Sequence, residues 1–265
     1  MQLQINGKAA FAYTAAHDID PAKRTIVFVH GAGLDHSWWG LQSRYFGYHG
    51  CNVLAVDLPA HGRSEGPALA NVGEMADWIS VLLKTLQIER AAIVGHSMGS
   101  LIALEFAARY PQTAEKISLI GVAYPMKVGD AFLDAAQRND SSAFDMETIW
   151  GHAPQVPLAG NPNPGMWMYG DTLARLARLA PGVLHTDLSA CNSYAGGMEA
   201  AARVKCPVLF ILGARDMMTP PRAAQALAKA IADSKTVTIA PSGHSLMGEA
   251  PDATLDVLIE FLRPA

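Results

Sequence analysis

The stretch "IVGHSMGSL" (residues 93–101) places a serine between two glycines, directly after a β-branched pair and directly before a helix-forming run. Gly95-His96-Ser97-Met98-Gly99 has the form G-x-S-x-G. A buried strand that passes into a helix through this pentapeptide must turn sharply. The glycines let strand and helix pass without Cβ clashes, and the serine sits at the turn in a strained conformation with its hydroxyl above the sheet. The Met98 amide then faces any negative charge that develops beside the serine, and the helix dipole favours an anion there. A Gly-flanked turn whose serine only caps the helix would carry the same letters. The apolar strand before it and the helix after it separate the two readings.

Outward from this point the chain alternates short β-branched runs with helical patterns, the mark of βαβ units around a mostly parallel sheet. "LQIN" and "AFAYT" read as an opening hairpin around Asn6-Gly7. "TIVFV" (25–29), "NVLAV" (52–56), "AAIV" (91–94) and "KISLI" (116–120) are nearly continuous apolar runs, as strands buried on both faces should be. "GEMADWISVLLKTLQ" and "MGSLIALEFAARY" carry helical spacing, and Pro111 ends the second. After residue 122 the pattern turns helical, with a Pro/Gly/Asn-rich middle and no strand. The sheet pattern resumes with "PVLFILG" (207–213), a helix through "PPRAAQALAKAIA", "KTVTIA" (235–240) and a last helix from about Pro251. The expected class is α/β, with a core of residues 1–122 and 196–265 and a helical cap insertion of residues 123–195.

Composition sets bounds on partners and compartment. Half of the 265 residues are hydrophobic, enough for a large core, and the formal net charge is −4. Lys and Arg are neither in excess nor clustered, so neither nucleic acid nor an anionic membrane is an expected partner. The three cysteines, Cys51, Cys191 and Cys206, lack the C-x-x-C spacing of a zinc or redox site and read as buried thiols in a reducing compartment. No signal-peptide pattern opens the sequence and no run approaches the roughly 20 apolar residues of a membrane helix. A cytoplasmic location is expected.

A serine hydroxyl is a weak nucleophile near neutral pH and needs a base oriented by a third group. His244 follows the last strand pattern in "APSGHSL", and Asp216 follows a strongly apolar strand in "PVLFILGARD". Their chain order, serine, acid, histidine, is that of a strand–turn–helix nucleophile fold. The place after the strand that follows the nucleophile helix reads "GVAYPMKVG" and offers no carboxylate before Asp130. "VFVHGAGLDH" brings His30-Gly31-Ala32-Gly33 to the end of another strand, where small residues let backbone amides approach a carbonyl, and Ala32 is the expected partner of Met98 in an oxyanion hole.

With these parts in order, the chain resembles the α/β-hydrolase superfamily over essentially its full length. It looks most like bacterial esterase, perhydrolase and C–C hydrolase members with a small helical cap. The matching elements are "HGAG", "DLPAHGRS" (57–64), "GHSMG", "GARD" and "SGH"; Ala60 stands where members commonly have glycine. The resemblance implies Ser97 as nucleophile, His244 as base, Asp216 as its partner and Ala32 and Met98 as oxyanion donors. It implies no cofactor and no metal, and a small-molecule ester or related carbonyl substrate. Gly31, Met126, Trp150 and Trp167 are expected at the substrate, which the Met- and Trp-rich insertion suits to small or medium apolar or aromatic esters.

Other readings use the same letters. "VHGAGLDH" followed by Asp57 is a partial dinucleotide fingerprint, but His36 replaces its third glycine and GHSMG is left without a role. C–C cleavage of a diketone and perhydrolysis use the same triad, and a ligand receptor can share the fold without catalysis. His30, His96, Asp57 and Arg63 are read as packing or loop-fixing residues.

Overall fold

The computed structural model describes residues 1–156 and 165–263. Eight strands form one sheet: β1 (Gln2–Ile5), β2 (Lys8–Tyr13), β3 (Thr25–Val29), β4 (Asn52–Asp57), β5 (Ala91–His96), β6 (Ala114–Ile120), β7 (Val208–Gly213) and β8 (Ser234–Ile239). Their spatial order is β1-β2-β4-β3-β5-β6-β7-β8. The first hairpin and the β2–β4 pair are antiparallel, and the ladder from β4 through β3 to β8 is parallel. The expected mostly parallel α/β class is the one observed. Asn6 and Gly7, both at positive φ, make the hairpin turn.

Alternation along the strands sorts the side chains to two faces. Val27, Val29, Leu54, Val56 and Ile93 pack on one side with helices α2 (Val72–Thr85) and α3 (Met98–Arg109). Ile26, Phe28, Val53, Ala55 and Val94 pack on the other with α1 (Gly40–Tyr48) and the last helix. Between β6 and β7 lie α4 (Asp130–Gln137), α5 (Ser141–Trp150), α6 (Met168–Leu176), α7 (Val183–Ser193) and α8 (Gly197–Arg203). The segment read as strand-free has no strand among its described residues; its Pro/Gly/Asn-rich middle, 157–164, lies outside them. After β7 come α9 (Gln225–Ala230), then α10 (Leu246–Glu249) and α11 (Pro251–Leu262) after β8. No helix among the described residues is long and apolar enough to cross a membrane.

The topology determines where chemistry can collect. β3 pairs on one side with β4, which follows it, and on the other with β5, so the chain reverses direction across the sheet at β3. Loops leaving the carboxyl ends of strands at such a reversal diverge and leave a crevice. Val29 pairs with Gly95, which sets His30-Gly31 beside His96-Ser97. Gly213 pairs with Ile239, so the loops carrying Asp216 and His244 leave the same end of the sheet.

Candidate active site

Ser97 stands at the N-terminus of α3 with φ 53° and ψ −116°, a conformation that costs a non-glycine residue energy. The flanking glycines explain how the turn closes. A Cβ at Gly95 would overlap the Gly99 carbonyl, and one at Gly99 would overlap that of Val29. The Ser97 amide donates to the Ile120 carbonyl at 2.9 Å, tying the turn to β6. Among the described residues the Ser97 hydroxyl makes no hydrogen bond, and Ser97 lines a cavity of about 350 Å³.

Asp216 and His244 meet across the sheet end. His244 Nδ1 donates to Asp216 Oδ2 at 2.7 Å, which fixes the tautomer because an ionised carboxylate only accepts. Asp216 Oδ2 also accepts from Thr219 Oγ1 at 2.7 Å, while Oδ1 accepts from the Met218 and Thr219 amides at 2.9 and 2.7 Å. Burial opposes ionisation of Asp216, but His244 and these donors outweigh it and hold the carboxyl below its usual range. For His244 burial disfavours the cation, yet the charge and hydrogen bond of Asp216 raise its pKa above the ordinary 6.5. His244 Nε2 is buried and has no hydrogen-bond partner among the described residues.

Glu249 and His96 hold this arrangement and Asp187 holds the loops beside it; of the three, only His96 was singled out in the sequence. Glu249 accepts the amides of Gly243 and Ser245, on either side of His244, at 2.9 and 3.2 Å, and that of Ala153 at 3.1 Å. His96, read as a packing residue, packs its ring 4.7 Å from that of His244 and donates from Nε2 to the His244 carbonyl at 3.0 Å. Burial, reinforced by His244, drives its pKa well below 6.5, so it stays neutral. Asp187 of α7 reaches into the loops: its Oδ2 accepts from the Gly33 amide and from His61 Nε2, both at 2.8 Å. His61 Nδ1 faces the Pro59 carbonyl at 3.0 Å, so both ring nitrogens meet acceptors. Burial resists the His61 cation, but Asp187 outweighs it and raises the pKa. Arg175 of α6 makes a second tie, to Asp35 at 3.4 Å.

Neither the Ala32 nor the Met98 amide is used in a hydrogen bond among the described residues, and Ala32 lies in the cavity wall with Ser97. Gly31 lies under the turn at Ser97, where a Cβ would sit 3.2 Å from that of Ser97. His30 donates to the Gly31 carbonyl at 2.8 Å and accepts from the Leu58 amide at 3.2 Å; burial takes its pKa down to about 4. Met126 and Trp150 line the cavity with Phe132 and Leu188. Trp167 does not. It is 76% exposed at the start of α6, outside the cavity wall, because α6 turns Met168, Thr172 and Leu176 inward instead. Among the described residues the wall holds one acid, Glu147, in a segment whose Met and Trp content suggests an apolar lining.

Among the described residues, Asp35, His36 and Asp57 have possible ligand atoms within 4.8 Å of one another. They are already engaged with the chain. Asp35 Oδ1 accepts the Ser37 amide, Asp57 Oδ1 accepts the amide and Nδ1 of His36, and Asp57 Oδ2 accepts the Arg63 amide. This cluster fixes loops, and Arg63 enters it only through its backbone amide.

Comparison with known proteins agrees with this architecture. A profile described as "Alpha/beta hydrolase family" matches residues 26–257. The AB hydrolase superfamily protein YisY of Bacillus subtilis is 25% identical over 90% of this chain and 91% of its own. The enol-lactonase from Burkholderia xenovorans LB400 superposes with a TM-score of 0.85 at 22% identity, covering 99% of both chains. A thermophilic esterase from Thermogutta terrifontis does so with a TM-score of 0.85 at 19% identity, over 99% of this chain and 98% of that one.

Proposed function

Since the chain belongs to the alpha/beta hydrolase family, we propose that it is a serine hydrolase that cleaves carboxylic esters through an acyl-enzyme, without a cofactor. The observation that carries this reading is the unpaired Nε2 of His244, held by Asp216 on the far side of the ring and packed against the residue that precedes Ser97. A buried ring nitrogen left without a partner is suited to a proton that comes and goes.

His244 Nε2 takes the Ser97 proton as Oγ attacks the carbonyl carbon, and Asp216 stabilises the imidazolium. The amides of Ala32 and Met98 receive the oxyanion. The imidazolium returns the proton to the leaving alcohol, and water then attacks the acyl-enzyme with His244 again as base. Helices α4 to α7 act as a cap, tied down through Asp187 and Arg175.

Two outcomes test this reading. Because His244 must be neutral to accept the serine proton, kcat/KM should fall as pH falls through its pKa, which Asp216 raises above 6.5. The inflection should lie above about 6.5; a rate that stays flat from pH 8 to pH 5 on folded protein would exclude a histidine base. Within a cavity of about 350 Å³ walled by Met126, Phe132 and Leu188, each accommodated methylene of the acyl chain should add up to about 0.8 kcal/mol, roughly fourfold in kcat/KM. p-Nitrophenyl acetate, butyrate, octanoate and palmitate should therefore show a rise and then a break. Equal rates across the series, or a maximum at palmitate, would replace the closed pocket with an open groove.

A further inference from the structure

Glu147 is out of place. It sits on α5, is only 8% exposed, lines the cavity that holds Ser97, and has Oε2 buried without a hydrogen-bond partner. No Lys or Arg pairs with it among the described residues, and Lys127, also in the wall, donates instead to the Asn192 carbonyl at 2.9 Å. The cavity wall it belongs to includes Met126, Phe132, Leu188 and Met218, and none of the wall's polar side chains, Ser97, Lys127, Trp150 or Thr219, hydrogen-bonds it among the described residues; Thr219 Oγ1 is engaged with Asp216 and His244. A carboxyl taken out of water without a partner bears a desolvation cost that nothing in the fold offsets, and a leucine or methionine would fill the same space without it. The remaining partner is whatever occupies the cavity.

We propose that Glu147 is a specificity-determining acceptor that receives a hydroxyl or amide N–H carried by the substrate at a distance from the carbonyl that Ser97 attacks. The assignment rests on the ester-hydrolase reading and narrows its substrate class to esters bearing such a donor. A hydroxyl asks for a single acceptor, which Glu147 supplies. The state of the carboxyl agrees. Burial pushes it up to about 7, with His244 opposing and Asp187 adding to the shift, as befits a buried carboxyl without a counterion.

Matched p-nitrophenyl esters of C4 to C8 acids, with and without a terminal hydroxyl, test the assignment in wild type, Glu147→Gln and Glu147→Leu. At the chain length where the hydroxyl reaches Glu147, wild type should favour the hydroxylated ester by at least about tenfold in kcat/KM. Glu147→Leu should bring that ratio to one or below. Glu147→Gln, whose amide carbonyl still accepts, should keep part of it. A wild-type preference for no hydroxylated ester at any length, or the same ratio in Glu147→Leu, overturns the assignment, since a purely structural residue alters both esters alike. Calorimetric binding of the same pairs to Ser97→Ala, with and without Glu147→Leu, separates the two readings. Binding that favours the hydroxyl through Glu147, in a protein whose wild type turns over no ester, upholds the subsite and defeats the esterase. Ester turnover with binding indifferent to Glu147 does the reverse.

Discussion

Ser97→Ala should lower kcat for a favoured ester by about 10⁶-fold, the scale of losing a nucleophile that acts as a unit with its base. The fold should not notice. The hydroxyl makes no hydrogen bond among the described residues, and alanine inherits the same φ of 53°, so the strain of the turn is kept. Thermal unfolding should shift by less than about 0.5 kcal/mol equivalent. A fluorophosphonate should label wild type at Ser97 and leave the variant unlabelled. Turnover that persists in the variant, or label found on another residue, would remove Ser97 from the chemistry.

Asp216→Asn should cost roughly 10⁴-fold in kcat, as the same exchange does in the serine-protease triad. The hydrogen bonds around the carboxylate explain why so small a change should matter. Oδ1 accepts from the Met218 and Thr219 amides, so the carbonyl oxygen of asparagine will take that side. The amide nitrogen is then forced toward His244 Nδ1, where Oδ2 now stands at 2.7 Å. An N–H donated to Nδ1 leaves the ring proton on Nε2, and that tautomer cannot accept from Ser97. Removing the carboxylate charge also removes the principal cause that raises the His244 pKa, so residual activity should have its acid inflection at lower pH than wild type. Activity within tenfold of wild type with an unmoved inflection would assign the acid to another residue.

The parts of the molecule that follow from short-range pattern were legible. β3 is the run "TIVFV" residue for residue, and the other apolar runs recover β4 to β8 to within two residues at either end. Strands buried on both faces announce themselves by unbroken apolar letters. Helix α1 and the short turn His36–Trp39 before it were not read. The first residue of α1 is Gly40, the Trp39 before it makes no side-chain cap bond, and Asp35 caps the preceding turn instead of the helix. That helix exists because Phe46 and Trp39 pack on Phe28, at ring separations of 6.0 and 5.2 Å, which no local signal carries.

By itself the sequence determined the class of fold, the strained turn at Ser97, and the order in which Ser97, Asp216 and His244 follow apolar strands. These depend on residues within a few positions of one another, on alternation, glycine spacing and chain order. Only the tertiary structure decided which distant groups meet. His61 and Asp187 pair across 126 residues, Ala153 and Glu249 across 96, and Glu147 enters the cavity while Trp167, from the same Met- and Trp-rich region, stays outside it. The physical reason is that hydrophobic burial sets which face of a helix turns inward but is nearly blind to which polar groups come with it. Those are selected by hydrogen bonds of about 3 Å, whose partners are defined only once the helices have docked on the sheet.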